Sequence, residues 1–121
     1  MRKLVDLFIE KILSKINEYY TCYYEEAPSS ANFPFLVVPT LVLSPLNSGY
    51  SGIFDIEIYV NELCNESNEN IIDTLRDNLD GYHYRNENIG FHLGFENHMI
   101  VKSNEQDLSI RKISFVARIF K

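Results

Sequence analysis

The first twenty residues alternate at helical spacing. Leu4, Val5, Phe8, Ile9, Ile12, Ile16, Tyr19 and Tyr20 fall on one side at 100° per residue, and Lys3, Asp6, Glu10, Ser14, Asn17 and Glu18 on the other. The pattern predicts an amphipathic helix whose apolar stripe needs a sheet or a second helix beneath it. Leu7 interrupts the polar side, and Leu13 sits at the edge of the apolar one. Both charge signs occur on the polar side, which argues against a membrane-surface helix. Thr21 to Glu26 is a short β-prone piece, and Ala27 to Asn32 reads as a loop. Phe33 to Leu43 is apolar but punctuated by Pro34 and Pro39, with Pro45 just beyond, so it reads as one edge strand or two short pieces. Asn47 to Gly52 reads as a turn or flexible loop.

The period changes to two at Ile53 to Val60. Phe54, Ile56, Ile58 and Val60 share one face, and Ile53, Asp55, Glu57 and Tyr59 the other. Capping side chains and acids at Asn65 to Asn70 then open a short helix carried by Ile71, Ile72, Leu75 and Leu79, which Gly81 ends. Ile89, Phe91, Leu93 and Phe95 alternate with small or polar residues, Met99-Ile100-Val101 follows, Ser103 to Asp107 is a polar turn, and Ser109 to Phe120 is a long last strand. The order predicts a single α+β domain, residues 1–121: a mostly antiparallel sheet with an N-terminal helix and a second helix packed on one face.

Composition narrows the function. A chain of 121 residues that is 45% hydrophobic can form a core. No apolar run approaches the ~18 residues of a membrane span. Asp6 and Glu10 break what would otherwise begin like a signal peptide. Two cysteines, Cys22 and Cys64, make no disulfide framework and suit a reduced, intracellular setting.

The net charge of −6 is unevenly laid out: residues 16–75 contain nine acids and no Lys or Arg. Such a segment cannot grip phosphates, so sequence-specific nucleic-acid binding is not expected. It is either a solvated face or a surface that repels a polyanion or meets a basic partner.

Catalytic chemistry finds little support. His83, His92 and His98 lie in one region without metal-site spacing. Asp55 and Glu57, two apart on one strand face, stand about 7 Å from each other, a separation that could suit paired carboxylates. Neither cysteine has a nearby activating His. There is no Gly-rich phosphate loop. No catalytic, metal or cofactor site is expected. The eight Tyr and eight Phe lack the positive groove of a base-stacking surface, so core and interface roles are expected of them.

In order and spacing, the chain resembles the tail-terminator, or tail-to-head joining, proteins of long-tailed phages and prophages. The resemblance is carried by the N-terminal helix leading into Tyr23-Tyr24-Glu25-Glu26-Ala27-Pro28 and Phe33-Pro34-Phe35-Leu36-Val37-Val38. It continues in Phe54 to Val60, in Ile71-Ile72-Asp73-Thr74-Leu75 closing on Leu79-Asp80-Gly81, and in the last strand Ile110 to Phe120. It implies a non-enzymatic structural protein that forms a ring, hexameric in that family, on the end of the tail tube. Its partners would be further copies of itself, a tail-tube protein and a head-connector protein. It would be found in the cytoplasm of the bacterial host during assembly and in the virion tail. The face with Asp55, Glu57 and Tyr59 is then a candidate lining of the lumen or a subunit contact. The alternative is a small acidic cytoplasmic module that binds a basic protein.

Overall fold

The structure, a computed structural model, describes residues 2–46, 49–64, 66–101 and 107–120. Asn65, residues 47–48 of the expected first turn and all of the Ser103–Asp107 turn except Asp107 lie outside them. Helix α1 (Arg2–Ile16) is followed by strands β1 (Cys22–Tyr24), β2 (Phe35–Val38), β3 (Leu43–Leu46) and β4 (Gly49–Asn61). Then come α2 (Asn68–Leu79), β5 (His83–Arg85), β6 (Gly90–Val101) and β7 (Leu108–Phe120). The strands form one sheet in the order β1-β2-β4-β7-β6-β5, with β3 beside the first half of β4. Every pairing is antiparallel except β1 with β2. The architecture is α+β, as the periodicities predict.

The core lies between one sheet face and the two helices. Phe8, Ile12 and Ile16 of α1 and Ile71, Leu75 and Leu79 of α2 are fully buried there against Phe54, Ile56 and Ile58 of β4 and Ile113, Phe115 and Ala117 of β7. Phe8 packs edge-on to Phe54 (centroids 5.7 Å apart) and to Phe91 (5.0 Å), a favoured aromatic geometry. Ser67 starts α2 by accepting the Asn70 N–H, and Asp80 ends it. Gly81 follows at φ 77°, a left-handed conformation that glycine adopts without a Cβ penalty.

Three expectations change. First, of the two readings of Phe33–Leu43 it is the two short pieces that hold, as β2 and β3, and β2 is an interior strand between β1 and β4, not an edge strand. Pro34 and Pro39 bracket it and so remove no ladder donor. Pro45 does sit in an edge strand, β3. Second, Gly49 to Gly52 belongs to β4. A Cβ at Gly49 would collide with the carbonyl oxygen of Ile119, so this glycine permits a close strand approach and not a turn. Third, the two late pieces Ile89–Phe95 and Met99–Val101 are one strand, β6, with a register shift between Phe95 and Asn97. This bulge places the extra residue Glu96 in β6 and reverses the facing of every later side chain.

Candidate assembly face

Both helices cover the same side of the sheet, so among the described residues the other side carries no helix. On β4 that side presents Ile53, Asp55, Glu57 and Tyr59, the four residues that the two-residue period assigns to it. The neighbouring strand β7 contributes Val116, Ser114, Lys112 and Ile110 directly opposite them. Ile53 and Val116 face each other and remain 47% and 39% exposed, a small apolar centre. Ser114 donates its hydroxyl to Asp55 Oδ1 at 2.6 Å, which fixes that carboxylate on the sheet.

Tyr59 joins the polar and aromatic parts of this face. Its hydroxyl donates to Glu57 Oε1 at 3.1 Å. Its ring stacks on Phe35, centroids 4.8 Å apart and planes 9° from parallel. Phe33 and Tyr23 flank Phe35 at 5.1 and 6.1 Å. Burial, and then the negative charge of Glu57, raise the Tyr59 pKa above its ordinary value, so the phenol stays a neutral donor.

The face is not uniformly acidic. Lys112 lies across from Glu57, and Arg118 lies between Ser51 of β4 and His92 of β6. His92 in turn pairs with His83 of β5, and the Arg85 guanidinium lies 5.4 Å from the Phe120 ring centroid. One end of this face therefore carries Arg118 and Arg85, and its middle sets the carboxylates beside Lys112. Reading β4 alone missed this mixture. The signal was present in the last strand, where Lys112, Ser114, Val116 and Arg118 occupy alternate positions.

The other candidate residues separate. His98 stands beyond the bulge, opposite Ile113, far along β6 from the His83–His92 pair. Among the described residues, no three of His, Cys, Asp and Glu gather as a metal-binding set. Cys22 is buried, and burial pushes its thiol pKa up to about 12. The Cys64 thiol donates to Asn61 Oδ1 at 3.2 Å. No described helix is long and apolar enough to cross a membrane.

The architecture is that of a helix-backed, mostly antiparallel sheet with one side free of helices. Among solved structures, a chain from the virion of a native gene transfer agent particle has this fold, with a TM-score of 0.65 over 91% of this chain and 85% of that one, at 13% identity. No protein-family description and no curated protein matches the sequence.

Proposed function

We propose that the protein is a non-enzymatic structural subunit of a phage-like virion, a tail terminator or head–tail joining protein that assembles into a ring on the tail tube. The observation that carries this reading is the fold shared over nearly the whole chain with a component of a virion particle. The helix-free sheet face supports it. An apolar centre between carboxylates and cations suits contact between subunits. A ring arises when different surfaces of one subunit meet head to tail and the rotation closes. In this reading the ring meets a tail-tube protein on one side and a head-connector protein on the other. The subunit is made in the bacterial host cytoplasm and is carried in the virion tail. Asp55, Glu57 and Tyr59 line a subunit contact or the lumen.

Light scattering coupled to gel filtration, with and without tail-tube protein, tests this. A closed multi-subunit species, seen as rings by electron microscopy, is the expected result. A strict monomer under every condition, together with salt-sensitive capture of a cationic protein, would replace it with the acidic binding module. The segment from residue 16 to residue 75, with nine acids and no Lys or Arg, favours that second reading.

A further inference from the structure

Sheet edges expose backbone donors and acceptors that invite another strand, and proteins blunt them with charge, proline, short length or cover. Here most edges are closed. The Asn17 side chain binds both backbone groups of Cys22 on β1, accepting its N–H at 3.1 Å and donating to its carbonyl at 3.3 Å. Glu25 and Glu26 follow β1 directly. The edge of β6 is paired with β5 and then held by Tyr82, Gly81 and Asp80, the last accepting the Phe95 N–H at 2.8 Å. The three-residue β5 edge carries His83 and Arg85.

Among the described residues, two stretches stay open. Beyond the bulge, ladder alternation turns the backbone groups of Met99 and Val101 toward β7 and those of His98 and Ile100 outward. Among the described residues no hydrogen bond reaches that outer side. Its side chains are exposed, Met99 by 45% and Ile100 by 71%. On the other side of the sheet, β3 pairs only with β4 through Ser44 and Leu46, which turns the backbone groups of Leu43 and Pro45 outward. Leu46 there is 43% exposed. Neither Leu43–Leu46 nor Met99–Val101 carries a charge, so the two edges meet without like-charge repulsion, unlike any pairing of two β5 edges.

We propose that the open edge of β6, His98 to Val101, pairs with the β3 edge of a second copy, joining neighbouring sheets head to tail. This names the contact and rests on the self-assembly reading above. The geometry is consistent on three counts. The strands β6 and β3 run in opposite directions across the sheet, so copies in the same orientation meet antiparallel. With Leu43 opposite Ile100, both side chains lie on the helix side, so the helices of both copies stay on one face of the continued sheet. Three hydrogen bonds form: Leu43 N–H to Ile100 C=O, Ile100 N–H to Leu43 C=O, and His98 N–H to Pro45 C=O. Pro45 lacks the fourth donor, and that lack also weakens any pairing of two β3 edges with each other.

The test uses the full chain. Ile100→Pro removes one outward donor and leaves the β7-facing donors of Met99 and Val101 in place. It should reduce the assembly mass to that of the monomer while the circular dichroism spectrum is kept. Independently, in a Cys64→Ser background, Leu43→Cys and Ile100→Cys proteins are mixed and mildly oxidised. A disulfide between the two different variants is expected. Self-crosslinking of Ile100→Cys would overturn the proposal in favour of a two-fold β6 contact. Rings that persist in Ile100→Pro, or that form without a 43–100 crosslink, would overturn the edge pairing and leave the ring reading intact. A wild-type chain that stays monomeric with tail-tube protein present would remove both.

Discussion

Tyr59 shows what a single side chain contributes to the open face. The Tyr59→Phe variant keeps the stack on Phe35 and loses the bond to Glu57. At pH 7 it should be less stable by about 0.5–1.5 kcal/mol, measured by urea unfolding. The pH dependence has a definite sign. Because the Tyr59 pKa is raised in the folded state, its contribution is fully present below the unfolded tyrosine value near 10 and falls as pH rises past it. The gap between wild type and Tyr59→Phe should therefore hold up to about pH 10 and narrow as pH rises beyond it; a constant gap would show that the phenol is not held neutral by this environment. Cys22 is a second case. Buried and shifted to about 12, it holds almost no thiolate at neutral pH. Iodoacetamide followed by mass spectrometry should find Cys22 unmodified in the native protein and alkylated after unfolding. In sequence Cys22 has no activating His nearby, and its burial matches that inert reading. The sequence could not show that Tyr59 would stack on Phe35, because that contact joins residues 24 positions apart through a pairing that no local pattern encodes.

Elements were legible where one period ran long enough. The α1 stripe and the β4 alternation placed Phe8, Ile12, Phe54, Ile56 and Ile58 in the core, and all are fully buried. Phe8→Ala should cost about 3–5 kcal/mol in chemical denaturation, since two aromatic neighbours would line the void. That is a large share of a typical domain's stability. The misreadings have a common physical cause. In sequence, prolines and glycines read as interruptions; Pro34 and Pro39 do bound β2, but leave it an interior strand, and Gly49 lets two strands approach instead of turning the chain. Whether such a residue breaks a strand depends on which neighbour its N–H or missing Cβ faces, and only the sheet order decides that. The same holds for β5, three residues long, which has too few positions to show a period.

At the scale of the whole molecule, charge is the feature that function should feel. The sequence showed an acidic middle, and the fold sets two of its acids on the helix-free face beside Lys112, with Arg118 further along the same face. A purely acidic lumen would act by repulsion alone; a mixed face can also hold a neighbour. Replacing Asp55→Lys together with Glu57→Lys changes the net charge from −6 to −2 and leaves the buried side of β4 untouched. The fold should survive, with a loss of about 1 kcal/mol for each hydrogen bond to Ser114 and Tyr59. If these carboxylates meet a neighbour's cations, as in the ring reading proposed above, assembly should not survive unchanged, because they would become cations themselves. The neutral pair Asp55→Asn with Glu57→Gln separates the two roles of these acids. If they bind a neighbour, neutralisation already weakens the ring, and wild-type rings loosen as salt rises toward 1 M, where screening acts within about 3 Å. If they only keep a polyanion from sticking, the neutral rings form normally, and the charge-reversed ones assemble but retain DNA. Light scattering across salt, with labelled DNA added, reads both behaviours, and a charge-reversed protein that forms normal rings and retains no DNA would take this face out of the function altogether.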